Sequence, residues 1–586
     1  MIKRCTSQQW LAIGKKVMNS VLKPIAHTRM LMFFSLLMCY TIMWVGNMVE
    51  ATTDEFLTFL LSIFDCYLIC ALAGVLKKIK LHWLVVIPLV TILFAELFTV
   101  LFYHSNFTIY VVLLLFETNT QESSEFIQAV LTQESTWTAV GLTIAAAAIA
   151  WLLAAASRKR FRYKGAVAFV CFGLIVWSGI RQLSGYYKLG RCFTSASTTI
   201  CNDPRYCPHL NTPFIRLGYG VAYNMASSAE LDVLAETVAE TQVESCSFRC
   251  PLIVLVIGES YNKHHTPLYG YSLPTTPRLQ KLKDEGRLTV YSDAVTPYNF
   301  TSNAFKYMFS TWDTDDTDEW TRHTLFPAVF KKAGYRVVFI TNQFTMEQTN
   351  SWDLAGGTIF NHSGLSDLQF DTRNEHVYGY DGDMLAEIPA IDSLTAQPTL
   401  LIVHLEGQHV KYERKYPAEF ARFKAEDEAT PFGGEQGKQI AAHYDNATYY
   451  NDYVVDSIFR IVSNTDAVAL YLSDHGEEAY DWRDKFERTN EVTLYPEVAH
   501  YQYEIPLMFY TTDSFSVHHP DVIEAIQASA RKPFLSSDLC HVLFYLGGID
   551  NREYKEHRNI LSPRYDATRK RIIRSDVDYD ELMRER

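Results

Sequence analysis

Leu252-Ile-Val-Leu-Val-Ile-Gly-Glu-Ser260 is the stretch around which the chain is organised. Six apolar, mostly β-branched residues run directly into Gly-Glu-Ser, the pattern of a strand buried on both faces that ends at a polar side chain. In open α/β sheets ligands sit outside the carboxyl ends of the strands, so Glu259 stands where chemistry is expected. A strand closed by an ordinary polar turn would read the same way in isolation. A second strand end of the same kind, Asp474-His475, weighs against that plainer reading.

Working outward, strand-like runs at 252–257, 336–341, 399–404, 467–472 and 506–510 alternate with helical stretches such as 324–333 and 444–462. This alternation predicts a mostly parallel sheet covered on both faces. Several strand ends carry metal-ligand residue types: Glu259 after the first, Glu406 and His409 in Leu-Glu-Gly-Gln-His, and Asp474-His475-Gly-Glu after 467–472. His500 stands shortly before the strand at 506. Mixed carboxylates and imidazoles without thiolates suit Zn²⁺ or a similar divalent ion. Thr301, in Pro297-Tyr-Asn-Phe-Thr-Ser-Asn-Ala304, is a candidate nucleophile, because a hydroxyl at a helix N-terminus meets anion-friendly N–H groups and a metal lowers its pKa. Thr301 also suits an N-cap, Asn299-Phe-Thr301 is a formal glycosylation sequon, and Ser302 and Thr296 compete as nucleophiles on spacing alone.

The chain has 586 residues, too many for one ordinary domain, and its apolar residues crowd into the first 182 positions. Candidate membrane spans fall at 31–49, 56–76, 81–103, 137–155 and 165–182, each near the length a bilayer requires. Lys77-Lys-Ile-Lys80 and the basic run at 157–164 face acidic loops at 50–55 and 104–136, the second without Lys or Arg. The positive-inside rule therefore places the N-terminus inside and the soluble part outside, after five spans. Residues 183–250 read as a linker with an amphipathic helical piece near 214–236, and 251–586 as the soluble domain. A net charge of −13 excludes an ordinary nucleic-acid binder. Six of the eleven cysteines (Cys192, Cys201, Cys207, Cys246, Cys250, Cys540) lie beyond the apolar third, which suits disulfides in an oxidising compartment.

Gly-Glu-Ser, Tyr269-Gly-Tyr271, Thr275-Thr-Pro277, Ala333-Gly-Tyr335, Thr341-Asn-Gln343, Tyr444-Asp-Asn446 and Asp474-His-Gly-Glu477, together with five membrane spans, resemble the bacterial lipopolysaccharide phosphoethanolamine transferases of the alkaline-phosphatase/sulfatase superfamily. The resemblance implies a five-helix transmembrane domain followed by an α/β/α alkaline-phosphatase-like domain in the periplasm, anchored in the inner membrane. It implies that Glu259, Thr301, Asp474 and His475 hold zinc, Thr301 being aligned through Met308-Phe-Ser310. His409 and His500 would meet the substrate phosphate or a second zinc, and Glu117, Asn119 and Glu122 of the outer loop would meet substrate. The expected reaction moves phosphoethanolamine from phosphatidylethanolamine through a phospho-threonine to lipid A or core sugars of lipopolysaccharide, by a monomeric enzyme. The sequence departs from the family in lacking cysteines beside Thr301 and a landmark between 477 and 499. A phosphoglycerol transferase of the lipoteichoic-acid-synthase type and a non-catalytic glycan-binding ectodomain are the alternatives. No Cys-x-Pro-x-Arg segment supports a sulfatase activity.

Overall fold

A computed structural model of the chain describes residues 7–46, 55–103, 134–156, 163–194, 213–343, 358–488, 494–584 and 586. The chain divides into two compact units, Met1–Ala229 and Glu230–Arg586. The division falls inside the stretch expected to be linker.

In the first unit, α1 (Ser7–Leu22) precedes helices at all five expected positions: α2 (Thr28–Gly46), α3 (Glu55–Lys78), α4 (Trp83–Tyr103), α5 (Glu134–Ala156) and α6 (Gly165–Thr194). Among the described residues, two stretches, Phe59–Lys78 and Gly165–Thr194, are long and apolar enough to cross a membrane. The apolar parts of α2, α4 and α5 are shorter. Trp151, Phe169 and Ile180 turn outward and are about two-thirds exposed or more, at 70%, 71% and 67%. The helices of this unit pack through apolar clusters that include Leu37, Cys70 and Ile175, with polar contacts beside them: Ser178 Oγ donates to Leu61 O at 2.6 Å, and Gln182 Nε2 to Asp65 Oδ2 at 3.1 Å. Glu117, Asn119, Glu122, Cys201 and Cys207 lie outside the described residues.

The last turns of α7 (Pro213–Ala239) open the second unit, whose centre is a seven-stranded sheet. Its strands are β1 (Leu252–Gly258), β2 (Leu288–Tyr291), β3 (Arg336–Thr341), β4 (Thr372–Arg373), β5 (Thr399–His404), β6 (Ala467–Ser473) and β7 (Leu507–Thr511). They run in the order β2-β7-β6-β1-β5-β3-β4. β1 pairs in parallel with both β5 and β6, while β7 is antiparallel to β6 and β2. The sheet is therefore mostly parallel with one reversed strand near an edge.

Every residue of β1 is buried, and its neighbours alternate between two cores. Ile253, Leu255 and Ile257 pack with Leu231, Leu234 and Val238 of α7 and with α8 (Thr301–Phe309), α9 (Phe326–Ala333) and the helix Leu539–Gly547. Leu252, Val254 and Val256 face the other way, against Ala447, Val454, Ile458 and Val462 of α10 (Gly434–Val462). Period-two alternation with both faces apolar is what two helical layers demand of a central strand. α10 starts ten residues before the expected 444, and β2 and β4 are too short for the sequence pattern to announce. Cys246, Cys250 and Cys540 carry free thiols in this structure, Cys250 and Cys540 within the core, where burial pushes both thiols up.

Candidate metal and nucleophile site

The carboxyl ends of β1 and β6 lie side by side, Gly258 opposite Ser473, so Glu259 and Asp474-His475 emerge together. Two backbone devices hold the turn after β1. Ser260 has φ +56°, a left-handed conformation uncommon for a non-glycine residue, and its N–H donates to Asp474 Oδ1 at 3.1 Å. Gly407, with φ +51°, lies against Glu259 so closely that a Cβ there would meet Glu259 O at 2.8 Å. Only glycine permits that approach.

Glu259, Asp474 and His475 are fully buried, and one ligand atom from each lies within 4.8 Å of the other two. His475 Nδ1 donates to Gly476 O at 2.8 Å, which leaves Nε2 facing the carboxylates. Nε2 stands 3.0 Å from Asp474 Oδ2 and 3.3 Å from Glu259 Oε1, and Asp474 Oδ2 accepts no hydrogen bond. Donor atoms of three residues converge in a dry site, where nearby positive charge offsets the cost of their burial. Burial opposes charge on Glu259, but the His475 ring outweighs it, with His409 and Arg488 adding, and the carboxyl is held well below the usual range. For Asp474 burial prevails, reinforced by the Glu259 charge, and the carboxyl is raised. Burial and the Arg488 charge disfavour the charged His475 ring, yet Asp474 and then Glu259 push it up to about 9. The position draws positive charge, and a divalent ion fits the donors present.

Thr301 is the first residue of α8. The helix N-cap is Phe300, so Thr301 does not serve as the cap. Its Oγ1 donates to Glu259 Oε2 at 3.1 Å and lies 3.2 Å from His475 Nε2. Phe305, Met308 and Phe309 of the same helix are buried in the core, which fixes where Thr301 stands. Thr296 turns instead to Tyr298 O at 3.2 Å.

The remaining candidates divide. His409 follows β5, and burial lowers its imidazole to about 3, with the Glu259 charge opposing. A neutral ring beside this group can accept or donate one hydrogen bond without adding charge. Glu406 forms an ion pair with Lys415. His500, in Pro496–Gln502, joins a different cluster: its ring stacks on His264 at 3.7 Å, and its Nδ1 lies 2.8 Å from Glu504 Oε1. His264 Nε2 reaches Glu504 Oε2 at 3.1 Å, and Lys263 Nζ lies 2.6 Å from the same oxygen. Stacked rings aim their nitrogens side by side at the two oxygens of one carboxylate, the geometry of a hydrogen-bonded clamp whose countercharge is Lys263.

Three residues at the site were not foreseen. Ser260 Oγ donates to Glu259 Oε1 at 2.7 Å, and Gln343 Nε2 to Glu259 Oε2 at 3.4 Å. Arg488 Nη1 lies 2.6 Å from His475 Nε2 and 3.2 Å from Glu259 Oε1. Ser260 and Gln343 belong to the motifs Gly-Glu-Ser and Thr-Asn-Gln, which could have flagged them. Arg488 lies on a loop with no periodic or motif signal.

The sulfatase family's sequence model matches residues 251–549. A relative, phosphoethanolamine transferase EptC of Escherichia coli O18:K1:H7 (strain RS218 / NMEC), is 30% identical over 344 residues, covering 56% of this chain and 57% of that one. The chain thus spans just over half the length of that relative. The C-terminal periplasmic domain of E. coli EptC, solved in complex with Zn, superposes with a TM-score of 0.50 at 27% identity, covering 58% of this chain and 96% of that one. The integral membrane protein lipooligosaccharide phosphoethanolamine transferase A of Neisseria meningitidis shares the fold over 91% of this chain and 97% of its own, with a TM-score of 0.58 at 17% identity.

Proposed function

The chain belongs to the sulfatase family, and from that premise we propose that it is a zinc-dependent phosphoethanolamine transferase. The observation that carries this reading is the meeting of the Thr301 hydroxyl with Glu259 and His475, 3.1 and 3.2 Å away, beside the orphaned Asp474 Oδ2. The likeness to EptC, whose periplasmic domain was solved with Zn, supports the choice of group and metal. Glu259, Asp474 and His475 would hold the ion, with Thr301 completing the set. A bound zinc ion supplies a lowered hydroxyl pKa and charge stabilisation for the transferring oxygens.

Thr301 Oγ1 then forms a bond to the phosphorus of phosphatidylethanolamine as the bond from phosphorus to the diacylglycerol oxygen breaks. The hydroxyl proton leaves toward Glu259 Oε2, the nearest acceptor, and ends on the departing glycerol oxygen. In the second half a lipopolysaccharide hydroxyl or phosphate, on lipid A or a core sugar, attacks the phospho-threonine. The acceptor hydroxyl's proton, or a solvent proton where a phosphate attacks, goes to the departing Thr301 oxygen, so the scheme is ping-pong. The helix N-terminus beneath Thr301 offers N–H groups to the phosphoryl oxygens. His409, a neutral ring in the electrostatic reach of Glu259, is assigned to the phosphate, and Glu117, Asn119 and Glu122 to the ethanolamine ammonium, which needs acceptors. Five membrane helices, an inner-membrane anchor, a periplasmic second unit and a monomeric enzyme complete the reading. Helices at all five expected positions and the membrane-protein fold neighbour support the anchor.

The test is a half-reaction. Purified chain incubated with phosphatidylethanolamine and no acceptor is expected to release diacylglycerol and to carry phosphoethanolamine mass on the peptide containing Thr301. Added lipopolysaccharide should then remove that mass. Modification of another residue, or glycerol phosphate as the group carried, would overturn the assignment.

A further inference from the structure

Arg488 uses the lone pairs that a metal ion would use. Its Nη1 donates to His475 Nε2 at 2.6 Å, to Glu259 Oε1 at 3.2 Å and to Ser260 Oγ at 3.2 Å. An N–H at hydrogen-bond distance from Nε2 and a metal bound to the same lone pair exclude each other, because the nitrogen has one. The guanidinium is 13% exposed and has a second tether, Glu477 Oε2, 3.8 Å from its Nε. Glu477 is itself fully buried. Thr301 Oγ1 lies 3.2 Å from the same His475 Nε2. A delocalised fork of donors next to a nucleophilic hydroxyl matches the oxygens of a phosphoryl group.

We propose that Arg488 is a second cation of the site, which holds the metal donors until an ion displaces it and then contacts the phosphoryl oxygens of the group attacked by Thr301. This deepens the transferase reading and rests on it for the identity of the group, though not for the competition with metal. Its first consequence has a sign that a merely structural arginine would not give. Removing a structural buttress loosens a metal site, whereas removing a competitor tightens it.

The experiment uses the full-length chain in detergent. Zinc affinity, measured against a chromophoric chelator, should rise about tenfold in Arg488→Ala, since the ion no longer displaces a hydrogen-bonded cation. Inorganic phosphate, as probe on the zinc-loaded protein, should bind about tenfold more weakly, and Arg488→Lys should recover part of that loss as a point charge without the fork. Transfer from phosphatidylethanolamine should fall about a hundredfold in Arg488→Ala with zinc content unchanged. Weaker or unchanged zinc binding in Arg488→Ala, or undiminished phosphate binding, overturns the proposal. Both binding measurements proceed without turnover. Failure of the transferase reading, seen as no modification on Thr301, is therefore distinguished from failure of this one.

Discussion

Thr301 and Asp474 sit in one group yet answer to different measurements. Thr301→Ala takes away the hydroxyl and leaves Glu259, Asp474 and His475 in place, so metal content should stay at one zinc per chain while transfer falls about 10³-fold or more. Asp474→Ala or Glu259→Ala removes a buried donor and should abolish bound zinc by elemental analysis; full occupancy in both variants would contradict the donor set. A second residue-scale prediction concerns His265, which is buried between Asp445 and Asp481, its Nε2 2.8 Å from Asp481 Oδ1. Burial alone would lower its pKa, but the charges of Asp445 and Asp481 outweigh it, and the ring is raised well above its ordinary value. A raised folded-state pKa contributes stability that is fully present below the unfolded value of about 6.5 and is lost as pH rises through the folded value. His265→Gln should therefore cost about 3 kcal/mol near pH 6, with the gap to wild type narrowing as the solution becomes alkaline. Denaturant melts across that range decide it, and a gap that widens with pH would be the wrong sign. At this scale Glu259, Asp474 and His475 were legible because each follows a buried strand. Thr301 was reached only through Met308-Phe-Ser310, since hydroxyl spacing alone admits Ser302 and Thr296. His500 was assigned to the phosphate or a second zinc through the resemblance alone, whereas the structure sets it against Glu504 and against His264, more than two hundred positions earlier in the chain.

Among the elements, β1 was the easiest to read and the loop after β5 among the least. Six consecutive apolar residues announce a strand covered on both faces, and the alternate packing of Ile253, Leu255 and Ile257 against one layer and Leu252, Val254 and Val256 against the other shows why none could be polar. β7 was legible as a strand but not as a reversed one, because direction is set by pairing and not by the period of side chains. In the loop after β5, Gly407 reads as a turn glycine, whereas the structure makes it the close neighbour of the Glu259 backbone. Gly407→Ala should cost about 1–3 kcal/mol, through the clash and the left-handed φ together, and should weaken zinc binding in the same variant. A variant that loses stability but keeps full zinc affinity would separate the turn from the site.

The whole molecule divides earlier than composition suggests. The shift from apolar to mixed sequence predicts a soluble domain from 251, yet Leu231, Leu234 and Val238, spaced as one helix face, are buried in its core. A fragment starting at 230 should therefore fold cooperatively and bind one zinc, while one starting at 251 exposes those three side chains' contacts and should lose about 1.5–3 kcal/mol for each of them. Thermal melts of the two fragments test this, and equal midpoints would return the boundary to 251. The helices of the first unit were legible from their apolar runs, a local property of the chain, although only two of the described stretches are long and apolar enough to cross a membrane.

Glu259 and Asp474 reach their common point from neighbouring strands, and the residues that bond there, Ser260 and Asp474, are 214 positions apart in the chain. No short segment of the nascent polypeptide contains the donor set, so the ion has nothing to grip until β1 and β6 have found each other. On the proposed reading metallation follows the folding of the second unit rather than nucleating it, and a folded protein without zinc precedes the loaded one. Cells deprived of zinc should accumulate such a reserve, protease-resistant and dormant, which added zinc would awaken within minutes and without new synthesis.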